Sequence, residues 1–408
     1  AGRDYRDAAV AAEAGRADEV AALAADGLVW IDGERLGKYA DAHEAARDAQ
    51  AKIDRLGGRE ILQADLDAKV ATLYMEEGKY QEALERSQRV LMARQKFMRA
   101  DDPNVASAMG DVADVLGQLG RYDESLPLYR RAIDAATKAV GAEHPMIASL
   151  RTNFGAMLHV SGHNAEALVE YQKALAIDER ALGPEHPQLA TVASNLGGVL
   201  LDEGQLAEAT AQFKRALALW QKALGPDHPN VATGLYRLGT VALREGKPQE
   251  AMSYFDRAFT IWQAKLGAEH PSLSAAFIGQ GDALMLEHKP AEAELHYKRA
   301  VTLLEKALGP KDPNLGEGLT AVGLAELAQH QAQRAQAPLE RALPLRKQAG
   351  DPIELAHTQF ALARALRESG GDAARATQLA QSALAALQKG GKNSSHAAGE
   401  VANWLHGR

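Results

Sequence analysis

The sequence predicts an all-α solenoid of stacked antiparallel helix hairpins, on three observations. Pro103, Pro145, Pro187, Pro229, Pro271 and Pro313 fall 42 residues apart, and Pro352 follows 39 residues later. A period of about 20 to 50 residues marks an array of supersecondary units, each packed on its neighbours. Between the prolines, glycines recur at two fixed places. Ala, Leu, Glu, Lys, Arg and Gln dominate, aromatics are only 5%, and strand-like alternation of Val, Ile and Thr is absent.

Residues 1–60 read as a degenerate N-terminal hairpin or cap. Gly37-Lys38-Tyr39 with Ala42 and Ala49 echoes Gly78-Lys79-Tyr80 with Ala83 and Val90, and the terminal units of a solenoid are atypical because their outer faces meet water. The start, Ala1-Gly2-Arg3, has no hydrophobic signal core and suggests an excised domain, a tag remnant or a processed terminus.

Residues 61–351 read as seven hairpins of about 42 residues. Each proline has no N–H to lose and a φ preset for a first helical turn. The residue before it, His144, His186, His228, His270, Asp102, Asp312 or Asp351, stands where an N-cap belongs. Both side chains accept a hydrogen bond from a free helix N–H, so capping is expected of these histidines in preference to metal binding. The first helix ends at Gly78, Gly120, Gly162, Gly204 or Gly246, replaced by His288 and His330, all read as left-handed stops. The second helix ends at Gly141, Gly183, Gly225, Gly267, Gly309 or Gly350, read the same way.

Equivalent positions fall into packing columns. Ala71, Ala113, Gly155, Gly197, Gly239, Gly281 and Gly323 on first helices are small, which predicts close approach of two backbones. On second helices Ala83, Ser125, Ala167, Ala209, Ala251, Ala293 and Ala335 precede Ser87, Tyr129, Tyr171, Phe213, Phe255, Tyr297 and Leu339 by four residues, and from Tyr129 onward an alanine follows three later. These offsets share one helical face. Trp220 and Trp262, seven residues past Phe213 and Phe255, are expected to pack. Residues 352–389 read as a final hairpin of the same kind. Residues 390–408 read as a flexible joint, Gly390 to Ser395, and a capping helix whose Trp404 covers the last hairpin.

This spacing of small residue, alanine, aromatic and alanine resembles the tetratricopeptide repeat, with a lengthened second helix. Gly183-Pro184-Glu185-His186-Pro187 is similar to the 42-residue repeats of kinesin light chains and their bacterial relatives, which also occur C-terminal to bacterial Ser/Thr kinases. The likeness covers about residues 61 to 389. It implies a right-handed superhelix whose first helices line a concave groove, and a non-enzymatic scaffold for a partner protein or extended peptide. A docking or sensor segment of a bacterial signalling protein is the leading expectation. A peptide-signal receptor and a self-assembling structural or cytoskeleton-associated module are the alternatives.

Composition bounds the chemistry. A net charge of −8 argues against a phosphate-backbone ligand. Zero cysteines removes thiolate chemistry and fits a cytoplasmic location. Apolar runs are too short for membrane insertion. No Walker motif, nucleophile elbow or His-Glu-x-x-His occurs, since His43-Glu44 is followed by Ala45, Ala46 and Arg47. No catalytic residue, cofactor or metal site is expected. Monomer and homodimer both stay open.

Counting from each proline, offsets 4, 8, 11 and 15 form one stripe of the first helix. The stripe and its neighbours supply the candidate groove residues: Asp111 and Asp114; Ser149, Thr152 and Asn153; Thr191, Ser194 and Asn195; then Thr233, Tyr236, Arg237, Thr240 and Arg244. They vary where the packing columns hold steady. Short Ser, Thr and Asn side chains leave room for a ligand and suit a peptide backbone. Thr152-Asn153 and Ser194-Asn195 resemble the Asn-Asn pair of kinesin-light-chain repeats, with the first Asn replaced. Aspartates ahead of the neutral section and arginines after it predict a groove acidic toward the first repeats and basic in the middle.

Overall fold

The computed structural model describes residues 7, 11, 18–31, 38–390 and 394–407. Among the described residues the chain is helical, with no strand. It divides into two compact units, residues 1–195 and 196–408, the division falling within the helix Gln188–Asp202.

In the first unit, antiparallel partners follow one another: Asp18–Trp30 with Tyr39–Arg55, Glu60–Glu76 with Tyr80–Phe97, Pro103–Gln118 with Tyr122–Val140, and Pro145–Val160 with Asn164–Leu182. The second unit contains Leu206–Leu224 and then Pro229–Arg244 with Pro248–Leu266, Ser272–Leu286 with Pro290–Leu308, Leu315–Ala328 with Ala332–Ala349, and Pro352–Glu368 with Ala373–Lys389. Ser395–Leu405 packs on the last of these. Gly37 and residues 391–393 of the expected joint lie outside the described residues.

Every predicted cap forms. The N–H groups of Met146, Gln188, Asn230 and Ser272 donate to Nδ1 of His144, His186, His228 and His270 at 3.2–3.3 Å. Asp102, Asp312 and Asp351 accept at 2.8–2.9 Å in the same way. Three copies open on a tighter turn, however. Ala190, Ser274 and Gly316 donate to the carbonyls of Pro187, Pro271 and Pro313, and there the α-helix starts one or two residues late.

The two glycine series serve different conformations. Gly78, Gly120, Gly162, Gly204 and Gly246 have φ of 71–83°, and His288 and His330 take φ 59° in the same role, the non-glycine residues with positive φ among the described ones. The inter-hairpin glycines differ from the expected left-handed stop. Gly141, Gly183, Gly225, Gly267 and Gly309 combine φ of 86–93° with ψ of 155–165°. That region is accessible essentially to glycine alone. Histidine can therefore replace the first series but not the second. Gly350, at φ 83° and ψ 0°, is left-handed as expected.

The small-residue column receives rings, where the sequence suggested backbone against backbone. A Cβ on Gly155 would meet Tyr171 at 3.0 Å, and on Gly197, Gly239, Gly281 and Gly323 it would meet Phe213, Phe255, Tyr297 and Leu339 at 2.3–2.7 Å. Each first helix thus gives up a side chain so that a large residue of its own second helix can lie flat on it. Tyr129, Phe213, Phe255 and Leu339 are fully buried, as are the alanines of the flanking columns. Trp220 and Trp262 are buried as well.

At the C-terminal end Trp404 meets Phe360 edge-on at 5.8 Å and lies under the Arg367 guanidinium at 4.6 Å. Arg367 also donates to the Trp404 carbonyl at 2.9 Å. Ala398 and Val401 of this helix, with Trp404 and Leu405, join the apolar core of the last hairpin.

Candidate functional site

Packing uses most of each first helix and leaves a strip. On Pro145–Val160, Ile147, Ala148, Leu150, Phe154, Gly155, Met157 and Leu158 are buried, while Ser149, Asn153 and Val160 are exposed. Thr191 is exposed and Asn195 half-buried on the next first helix. On Pro229–Arg244, Arg237 and Arg244 are exposed and Thr233 and Thr240 half-buried. One position before offset 8 the side chains sink: Ser194 is buried, and Thr152 and Tyr236 are half-buried.

The threonines are less available than their type suggests. Thr152, Thr233 and Thr240 donate their hydroxyl protons to the carbonyls of Ala148, Pro229 and Tyr236 at 2.8–3.3 Å. Each offers a ligand lone pairs and a methyl group but no proton.

In the first unit the structure brings Asp111, Asp114 and Asn153 together. Asp114 accepts hydrogen bonds from Tyr129 Oη and, at 3.3 Å, from Asn153 Nδ2. Burial pushes the Asp111 carboxyl up to about 6, and the Asp114 charge adds to this against the pull of Arg94. Burial likewise raises Asp114, opposed by its two hydrogen bonds. Asp111 is open to water yet crowded by protein, because it sits at a cleft of about 390 Å³ between first helices.

The second unit adds acidic groups beyond the section that the sequence reading covered. Beyond Arg237 the face turns acidic again, with Asp282 and Glu317. Burial pushes Asp282 up to about 7, with the Glu317 charge adding and the Tyr297 hydrogen bond opposing. Burial and then the Glu317 charge push the Tyr236 hydroxyl up to about 12. Its ring packs 5.5 Å from Phe255 and 6.0 Å from Trp262. Glu317 is itself raised by burial, with Arg346 pulling it down and Glu354 pushing it up. The candidate set lacked Asp282 and Glu317. A signal was present: Asp282 and Tyr297 repeat the spacing of Asp114 and Tyr129.

The tetratricopeptide repeat profile matches residues 61–138, 107–180, 146–215, 188–264, 235–306 and 275–348. The chain belongs to the tetratricopeptide repeat family. Among solved structures it is similar to the nearly identical TPR-like repeats of a putative kinesin light chain from Podosopora anserina, with 22% identity over 50% of this chain and 97% of that one, and a TM-score of 0.44. The apo form of RapI is 11% identical over 90% of this chain and 98% of its own, with a TM-score of 0.60. A signal-transduction ATPase with a tetratricopeptide repeat sensor, from Pyrococcus horikoshii, is 12% identical over 79% of this chain and 47% of its own, at 0.54. No curated protein matches.

Among the described residues no group of three or more His, Asp or Glu is placed to hold a metal ion. No described helix is long and apolar enough to cross a membrane.

Proposed function

We propose that this chain is a non-enzymatic interaction scaffold that binds a partner protein or an extended peptide along its first-helix faces. We read it as the docking or sensor segment of a cytoplasmic bacterial signalling protein. One observation carries the reading: a strip of variable polar residues stays open between columns that are otherwise fully packed, and its carboxylates Asp111 and Asp282 are held where their charge is costly. Charge kept at a cost in a water-accessible place is stabilised when a ligand supplies the counter-charge. The likeness to a sensor array supports the signalling setting.

The test is a fluorescein-labelled octapeptide library, read by polarisation against the wild-type chain and against the triple variant Asn153→Ala, Asn195→Ala, Arg237→Ala. The variant keeps its helical circular dichroism and loses the peptides that the wild type selects. Undiminished binding by a folded triple variant would overturn the proposal. Light scattering across a concentration series addresses the rival reading, since a self-assembling module grows in mass and a scaffold does not.

A further inference from the structure

The column of large side chains on the second helices has a gap. Tyr129, Tyr171, Phe213, Phe255, Tyr297 and Leu339 fill the space above the small residue of their first helix, but Tyr80–Phe97 offers Ser87 above Ala71. Ser87 and Ala71 line the cleft of about 390 Å³.

Ser87 is 4% exposed and makes no hydrogen bond among the described residues. Ser125, by contrast, donates to the Ala113 carbonyl at 2.7 Å. Its hydroxyl opens onto the cleft, where a ligand atom can take the place of water.

The lining also carries Asp111 and Asp114, one helical turn apart on the same face. Asp111 has no hydrogen bond or close ion pair among the described residues. Arg94, the cation acting on it, is itself drawn to the Asn104 carbonyl at 3.1 Å and to Asp65 at 4.0 Å. Lys69 on the rim is paired with Asp26. Met75, Val90 and Val115 form apolar walls between these polar groups. The cleft therefore combines a slot for an aliphatic stem, two like charges wanting a cation, and a third acceptor in Ser87.

We propose that this cleft is a subsite for an arginine side chain of a bound peptide, its stem along Met75, Val90 and Val115 and its guanidinium shared by Asp111, Asp114 and Ser87. The proposal rests on the peptide-binding reading above and names a residue that such a peptide carries. Arginine fits better than lysine because its planar fork of five donors can reach three separate acceptors. A tyrosine would refill the column and offer one donor but no positive charge.

The probe is Nα-acetyl-arginine methylamide, titrated into the full chain with ¹³C-labelled methionine methyls. The Met75 methyl resonance shifts and saturates, and Nα-acetyl-norleucine methylamide, with a stem and no cation, leaves it in place. Ser87→Tyr fills the cleft as Tyr129 does above Ala113, and abolishes the shift. Asp111→Asn weakens binding by about tenfold and carries the test if Ser87→Tyr does not fold. Absence of a saturable shift in the wild type, its survival in folded Ser87→Tyr, or an equal response to norleucine overturns the subsite. If library peptides bind the wild type while the arginine probe does not, the subsite falls and the scaffold reading stands. If the probe binds while the triple variant still holds its peptides, the reverse holds.

Discussion

Tyr297 donates its phenolic proton to Asp282 at 2.7 Å, and Tyr129 does the same to Asp114 at the matching positions of an earlier hairpin. The Tyr297 ring lies over Gly281, the residue before the aspartate, so the hydroxyl emerges beside the carboxylate, and Ala113 holds the matching place before Asp114. Where the ring is Phe213 or Phe255, the corresponding first-helix residue is Gly198 or Thr240. A desolvated carboxylate needs a donor, and only the tyrosine copies supply one.

This pairing predicts a pH dependence. Asp282 titrates at about 7 in the fold, above the ordinary carboxylate range near 4. The folded form therefore binds the proton more tightly, and stability present below about pH 4 is lost as pH rises toward 7. Asp282→Asn keeps an acceptor for Tyr297 and cannot ionise. Its melting temperature should exceed the wild type's at pH 8 and match it at pH 4 when both are followed by circular dichroism. Tyr297→Phe should cost about 1–2 kcal/mol at pH 8 and less at pH 4.

Asp178 should be a liability at neutral pH. It is 1% exposed, neither carboxylate oxygen has a hydrogen-bond partner among the described residues, and later hairpins have Trp220 and Trp262 at this position. Burial raises its pKa, against the pull of His186. Asp178→Leu, the residue found at Leu304, should stabilise the chain by about 1–3 kcal/mol in urea unfolding at pH 8. The gain should shrink at pH 4, and a loss of stability at pH 8 would contradict this account.

The two glycine series should respond unequally to substitution. His288→Gly relieves a left-handed residue and should add about 1 kcal/mol, visible as a higher urea midpoint. Gly225→Ala places a Cβ at φ 87° and ψ 163° and should cost about 1–3 kcal/mol. Equal effects at the two sites would mean that the difference in ψ has no energetic weight.

Trp404→Ala should loosen one end of the array. The contacts with Phe360 and Arg367 contribute about 2 kcal/mol for a half-exposed tryptophan. Neighbour-only packing confines the loss to the last units. Amide exchange should accelerate in residues 352–389 and stay unchanged in the first unit. Uniform acceleration along the chain would refute it.

The architecture was legible because its signals are local. Caps at His144 or Asp351, stops at Gly204 or His288 and the alanine columns act within a few residues of chain, and a 42-residue beat multiplies each observation. The exposure of Ser149, Asn153 and Arg237 could be read for the same reason, since helical spacing assigns a face. Their chemistry could not. Whether a threonine proton turns inward, which aspartate meets a tyrosine and where Glu317 acts on Tyr236 depend on side chains brought together from distant positions.

By itself the sequence determined the hairpin, its period and its stops, because those depend on backbone preferences and on contacts three or four residues apart. Tertiary structure decided that rings lie on glycines, that Asp178 has no hydrogen-bond partner among the described residues, and that Ser87 opens a cleft beside Asp111. Those outcomes rest on volume and solvation, which exist only once neighbouring helices have closed on one another.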